Sequence, residues 1–68
     1  MIHCRFRDIR GMGIEVVRVD QVPPVDDIIT INYVMYEIFS REWSVIDAEK
    51  DTRMLACDVW LTEYKKSR

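Results

Sequence analysis

Hydrophobic and polar residues alternate with a period of two at the start of the chain. The apolar members of this alternation are Ile2, Cys4 and Phe6, and the polar members are His3, Arg5 and Arg7. This is the period of a half-buried β-strand, whose successive side chains point to opposite faces of a sheet. The Gly-Met-Gly sequence at residues 11–13 then predicts a tight turn, because glycine tolerates the positive φ that such turns need.

Three further segments predict strands. Residues 14–19 are rich in β-branched side chains, although the alternation slips at Val16–Val17, which fits a bulge or a strand covered on both faces. Residues 28–31 follow a predicted loop, since the adjacent pair Pro23–Pro24 would remove two donors from a central ladder. Residues 55–61 alternate again and predict the last strand.

The segment Asn32–Ile46 fits two structures. At 100° per residue its apolar side chains gather on one side, as in an amphipathic helix. Glu42 would then lie within the apolar stripe, and the segment is rich in Tyr, Val, Ile, Phe and Trp, which favour strands. We therefore predict one or two strands here, with a helix over residues 33–47 as the alternative. The polar residues 47–53 have the length of a hairpin connection.

About five short strands separated by tight turns predict an all-β fold, a small meander that closes into a barrel. The alternative is an α+β fold with a helix over residues 33–47. The 68 residues leave room for a single domain. The side chains that we predict to point inward are Ile2, Cys4, Phe6, Ile14, Val16, Ile28, Ile31, Ile38, Val59 and Leu61.

A pattern of spaced residue types runs from Val22 to Leu61. Its parts are Val22-Pro23-x-Val25-Asp26-Asp27-x-Ile29, then Tyr36-x-Ile38-Phe39, then Trp43, a polar loop and Val59-x-Leu61. This pattern resembles uncharacterised small SH3-like β-barrel proteins of bacteriophages and mobile elements. Asp26 and Asn32 stand where such sequences commonly have glycine, and Arg41 stands where an apolar residue is usual. The resemblance implies a small SH3-like barrel with no established activity, so it assigns no functional residues.

Composition adds an argument about stability and partners. Hydrophobic residues make up 49% of the chain, and in so short a domain the core rarely contributes more than about 3–5 kcal/mol. Surplus apolar surface favours self-association or docking onto another protein. The net charge of -2 does not indicate a uniformly basic, nucleic-acid-binding domain.

Candidate catalytic groups are sparse. The only histidine, His3, lies on the polar side of its strand, and Cys4 and Cys57 lie on apolar faces, where burial disfavours a reactive thiolate. We expect both cysteines to be reduced, with a disulfide between the terminal strands as the alternative. One histidine and two distant cysteines form no zinc pattern. The expected protein is not an enzyme and uses no cofactor, metal or small-molecule substrate.

The sequence shows no apolar segment typical of a signal peptide or a membrane span. The sequence Met1–Phe6 lacks the apolar region of a signal peptide, and no stretch approaches the ~18 apolar residues of a membrane span. We therefore expect a cytoplasmic protein that does not bind membranes.

Two surface features are candidate sites. Trp60 and Tyr64 lie on the side of the last strand opposite Val59 and Leu61, and we predict that they are exposed or covered only by a protein partner. The alternative for Trp60 is a second small core layer. The other candidate is basic: His3, Arg5 and Arg7 form a row on one strand face, with Arg10 just beyond, at a spacing suited to phosphate contacts. Lys65 and Lys66 of the C-terminal tail would extend this site, and a solvated strand face is the simpler alternative.

These patterns favour a non-enzymatic protein-interaction or assembly module. We expect it to self-associate or to bind another protein, and the resemblance implies an origin in a phage or mobile element. The alternative is a small nucleic-acid-binding β-barrel that uses the Arg5 and Arg7 face and the basic tail.

Overall fold

Five β-strands make up most of the computed structural model, which describes residues 1–49 and 52–65. The strands are β1 (Ile2–Asp8), β2 (Gly13–Val19), β3 (Ile28–Ile31), β4 (Val34–Glu49) and β5 (Thr52–Glu63). They form one sheet in the order β2-β1-β5-β4-β3. Neighbours are antiparallel except β1 and β5, which are parallel. The described ranges contain no helix, so the all-β prediction is confirmed.

The sheet coils around one core until it is nearly closed, which is consistent with a small SH3-like barrel. The buried side chains of this core are Cys4, Phe6, Ile38, Cys57, Val59 and Leu61. Side chains of the two edge strands, β2 and β3, pack against the same core, among them Ile14, Val19, Ile29 and Ile31. The order differs from a simple meander, because the consecutive strands β2 and β3 lie at opposite edges and β5 lies beside β1.

The segment with two interpretations, Asn32–Ile46, is a strand from Val34 onward. β4 pairs with β5 from Tyr36 onward and leaves Glu42 exposed to solvent, as the strand interpretation requires. The connection between β4 and β5 is shorter than the predicted residues 47–53. Asp47 and Arg53 face each other within the ladder, so they belong to the strands. Their exposed side chains form an ion pair of 3.6 Å.

Bulges change which side chains point to the core. In β4, Ile38 faces Leu61 and Ser40 faces Trp60, so Phe39 is an extra residue. In β2 the extra residue is Ile14. A bulge shifts the alternation by one residue. Beyond Phe39, therefore, the odd-numbered residues of β4 lie on the same face as the core.

Eight of the ten predicted inward residues lie in the core or pack against it, and two do not. Val16 is 55% exposed and Ile28 is 41% exposed. Val16 faces Arg5 and Ile28 faces Glu37 across their ladders, which places both on the outer face. β2 is an edge strand, and Val16 and Val17 are both exposed, so the interpretation of a strand covered on both faces is wrong.

Three non-glycine residues in the described chain have a positive φ, which L-residues adopt at a cost. They are Asp26 (76°), Asn32 (51°) and Tyr33 (70°). Asn32 and Tyr33 connect Ile31 and Val34, which face each other in the ladder. Two positive φ values in a two-residue hairpin loop define a type I′ turn. Asp26 and Asn32 thus adopt a conformation that glycine reaches most easily.

Candidate functional site

The outer face of the sheet carries an ionic cluster between β1 and β5. The parallel register sets Arg5 opposite Asp58 and Arg7 opposite Trp60. Arg5 Nη2 donates to Asp58 Oδ2 at 2.9 Å, and Arg7 Nε donates to Oδ1 at 3.0 Å. Arg5 Nε also lies 2.8 Å from Oδ1, as an ionic contact without hydrogen-bond alignment. One carboxylate, 14% exposed, thus binds two guanidinium groups.

The pKa of Asp58 lies below its ordinary value of 3.8. Burial raises this pKa, but the hydrogen bonds from Arg7 and Arg5, together with their positive charges, outweigh the effect of burial. Asp58 is therefore ionised at neutral pH and neutralises part of the basic face that the sequence predicts.

Trp60 is half-buried by its own chain. The guanidinium carbon of Arg7 lies 5.9 Å from the centroid of the Trp60 ring. Arg7 Nη1 also donates to the carbonyl oxygen of Gly11 at 3.2 Å, and a Cβ on Gly11 would lie 3.6 Å from Trp60 Cζ3. The turn after β1 and the Arg7 side chain therefore lie against the ring and half-bury it within the chain.

The other predicted site residues lie apart from this cluster. Tyr64 is half-buried, and its N–H donates to the carbonyl oxygen of Met35 at 2.9 Å. Arg10 is exposed at the β1–β2 turn, with Nη2 3.5 Å from Asp8 Oδ2. Lys65 is exposed, and Lys66 lies outside the described residues. Phosphate binding by these residues stays a prediction.

An open groove of about 360 Å³ lies beside the β1–β2 turn, bordered by Asp8, Arg10, Tyr36 and Glu63. Asp8 Oδ1 accepts the N–H of Arg10 at 2.8 Å and that of Met12 at 2.9 Å. The hydrogen bond from Met12, with smaller contributions from Arg10, holds the pKa of Asp8 below its ordinary value. The Asp8 carboxylate therefore stabilises the turn.

An apolar patch that the sequence pattern did not reveal lies on the projecting end of the β4–β5 hairpin. Among the described residues, β1 pairs with β5 only from Ala56 onward, and β3 pairs with β4 only as far as Glu37. The projecting hairpin accounts for the elongated dimensions of 51 × 21 × 19 Å. Val45 and Leu55 lie there on the inner face, 54% and 44% exposed, respectively. Trp43, 45% exposed, lies beside them on the same face at the base of the projecting end, opposite Cys57. We call these three residues the arm patch.

Arg41 lies beside the Trp43 ring and makes a cation–π contact with it. Its guanidinium carbon lies 6.0 Å from the ring centroid. Arg41 Nη1 also donates to the carbonyl oxygens of Val22 and Pro23, each at 3.3 Å, and so ties the loop before β3 to β4. The adjacent apolar pair Ile38–Phe39 is the sequence signal of the bulge that puts Arg41 and Trp43 on this face.

Comparison with known proteins returns no match: no family model, curated protein or solved structure corresponds to this chain. Within residues 1–49 and 52–65, no group of three or more His, Cys, Asp or Glu side chains could hold a metal ion. The same ranges include no helix that is long and apolar enough to cross a membrane.

Proposed function

We propose that this protein is a non-enzymatic assembly module that associates with further copies of itself through the projecting β4–β5 hairpin. The observation that carries the proposal is the arm patch. Val45 faces Leu55 across the ladder, and Trp43 lies two residues before Val45 on the same face. These three large apolar side chains are therefore contiguous, and removing apolar surface from water contributes roughly 25 cal/mol per Å².

The size of the core supports the same proposal. The buried cluster contains six side chains, and two of them are cysteines. A core this small contributes only about 3–5 kcal/mol to stability. Binding a second copy stabilises the folded state by mass action, because the unfolded chain does not present the patch.

Trp43 replaces Trp60 as the proposed interface anchor. The ring of Trp60 is partly covered by Arg7 and by the turn at Gly11, whereas Trp43 is exposed beside Arg41. A large aromatic side chain with only two χ angles supplies contact area at a low cost in conformational entropy.

Nucleic-acid binding through Arg5 and Arg7 is the less supported hypothesis, because Asp58 occupies donors of both guanidinium groups. An origin in a phage or mobile element stays a prediction from the resemblance.

Sedimentation velocity from micromolar to millimolar protein tests the proposed function. We expect the average mass of the wild type to rise with concentration. Trp43→Thr combined with Leu55→Thr, which keeps β-forming residues, should raise the dissociation constant at least tenfold or so. The control is Val16→Thr, which removes a similarly exposed apolar side chain from the outer face.

Monomeric mass at every concentration would refute self-association. An equal effect of the Val16→Thr control would refute the role of the arm patch. Circular dichroism of each variant checks that the strands are retained.

A further inference from the structure

We infer that the second copy adds its own β4 to the free edge of β4, antiparallel and centred on Ser44. This inference rests on the proposed self-association. Ile38 is the last residue of that edge with backbone partners, since its N–H donates to Asp27 and its carbonyl accepts from Asp26. Beyond it, the described chain supplies no strand or backbone partner on this side of Arg41–Asp47. We call this stretch the open edge; an unpaired edge is a template for another strand.

The backbone of the open edge is oriented for pairing. Ile38 points its N–H and C=O away from β5, and it faces Leu61 in the ladder. Arg41 faces Val59, two residues from Leu61 on the same strand. Because residues two apart on a strand point their backbone groups the same way, Arg41 also points its groups to the open edge. The same orientation then recurs at Trp43, Val45 and Asp47.

The side chains of these four residues select one register. With Ser44 opposite Ser44 of the second copy, Arg41 faces Asp47 of the second copy, and Trp43 faces its Val45. Two-fold symmetry repeats both pairs, which gives two ion pairs and two aromatic–β-branched pairs across the new edge. Each of these residues belongs to the inner face, so the two arm patches become continuous.

Neighbouring registers lose this complementarity. A shift of two residues in one direction sets Arg41 opposite Val45 and Asp47 opposite the bulged Phe39. A shift of two in the other direction sets Asp47 opposite Trp43. Either shift leaves the Asp47 carboxylate facing an aromatic side chain instead of a guanidinium. The ion pair that Asp47 already makes, with Arg53 at 3.6 Å, is exposed and can rearrange at little cost.

Ser44 gives an independent reason for the centre of the register. Its Oγ is buried and has no hydrogen-bond partner in the described chain. Its backbone groups point to β5, so the two copies of Ser44 form a pair without backbone hydrogen bonds, in which opposite side chains lie closest. Rotation about χ1 brings the two hydroxyls together, and a hydrogen bond between them satisfies both.

Disulfide trapping tests the register. The Ser44→Cys variant should form a covalent dimer under mild oxidation, because opposite cysteines at such a pair are within bonding range. Cys4 and Cys57 are both fully buried and do not compete. The matched controls are Glu42→Cys and Ile46→Cys. In this register position 42 of one copy faces position 46 of the second copy. Neither single variant should therefore form a disulfide-linked dimer alone, whereas a mixture of the two variants should.

Charge reversal is the second measurement. Asp47→Arg should raise the dissociation constant roughly tenfold, because two attractive pairs with Arg41 become repulsive. This change leaves the contacts of Arg41 with Val22, Pro23 and Trp43 in place, and it removes only the exposed ion pair with Arg53 within the chain. Asp47→Glu keeps the charge and should retain affinity. If the wild type associates but the Ser44→Cys variant is not trapped, or if Asp47→Arg leaves the dissociation constant unchanged, this register is wrong and the proposed function stands. If the wild type stays monomeric at all concentrations, both are wrong.

Discussion

Cys4 faces Cys57 across the parallel pairing of β1 and β5, and both side chains are fully buried free thiols. The two ends of the chain therefore meet in the centre of the core without a covalent bond. Burial, with smaller contributions from Cys57 and Asp58, raises the pKa of Cys4 to about 11. Burial also raises the pKa of Cys57, although the charge of Arg41 opposes it.

Thiol reactivity follows from this burial. At pH 8 the folded protein should react with a disulfide reagent at least about a hundredfold more slowly than the urea-unfolded chain, because both access and thiolate fraction are reduced. The measurement is the absorbance of the released thiolate over time, with and without urea. A rapid reaction of one thiol in the folded protein would contradict the burial of that residue.

The same raised pKa values lower stability at alkaline pH. A buried thiol stays neutral while the unfolded chain ionises above its ordinary pKa of 9.0. The free energy of unfolding should therefore fall as the pH rises from about 9 towards 11. Replacing both cysteines with alanine should reduce this pH dependence, which urea titrations at each pH can measure.

Removal of the Asp58 carboxylate should destabilise the outer face. Asp58→Asn leaves Arg5 and Arg7 adjacent without their shared anion, and we expect a loss of about 2 kcal/mol in the free energy of unfolding at pH 7. The control is Glu42→Gln: Glu42 faces Asp58 in the ladder but is exposed, and its loss should cost less than about 0.5 kcal/mol. Equal effects in urea unfolding would contradict the cluster.

The contribution of Asp58 to the free energy of unfolding should change with pH in the acid range. Because its pKa is lowered on folding, the stabilisation is present above the unfolded-state value of 3.8 and is lost as the pH falls through the lower, folded-state value. The difference in stability between the wild type and Asp58→Asn should therefore be constant from neutral pH to about pH 5 and shrink below pH 4. A constant difference down to pH 2 would show that the carboxylate does not act through its charge.

Tyr33 should be replaceable with a gain in stability. It is fully exposed, and its φ of 70° lies in a type I′ turn, where glycine is strongly preferred. Tyr33→Gly should raise the free energy of unfolding by about 0.5–1 kcal/mol through relief of strain. Tyr33→Ala removes the same ring but keeps the strain, and it should give no such gain. Thermal unfolding of the three proteins separates the two effects.

Gly11 and Gly13 should respond differently to a methyl group. Gly11 has a φ of 88°, so Gly11→Ala should cost about 1 kcal/mol even though its Cβ would make only ordinary contact with Trp60. Nothing lies within 4 Å of a Cβ at Gly13, and its φ is not in the left-handed region. Gly13→Ala should therefore leave stability nearly unchanged, and denaturant unfolding would reveal a reversal of this order.

Local alternation was sufficient to predict β1 and β5. At Cys4, Phe6, Val59 and Leu61 the period of two continues without interruption, and all four side chains are buried. The same rule failed at Val16, because the bulge at Ile14 is set by pairing with β1. The inward prediction at Ile28 did not follow the period, since Ile28 and Ile31 are three residues apart, and it is Ile29 and Ile31 that pack against the core. The sequence of one strand does not specify which other strand it pairs with in the sheet.

The candidate site was less predictable than the fold. In the sequence Arg5 and Arg7 form a basic row. No local pattern shows that Asp58, more than fifty residues later in the chain, binds both side chains. Trp60 read as exposed because the turn at Gly11 was not known to cover it. Trp43 was missed as an exposed anchor because the bulge at Phe39 decides which face it occupies.

The sequence by itself determined most of the core and favoured the all-β class, since these depend on side-chain period and on β propensity. Local φ preferences also predicted the turn at Gly11–Gly13 and the loop before β3, but not the turn at Asn32–Tyr33. The tertiary structure alone decided the parallel contact of β1 with β5, the neutralisation of the basic face and the exposure of the arm patch. Those features arise from pairs of residues far apart in the chain, and which segments meet is fixed only when the whole sheet closes around its core.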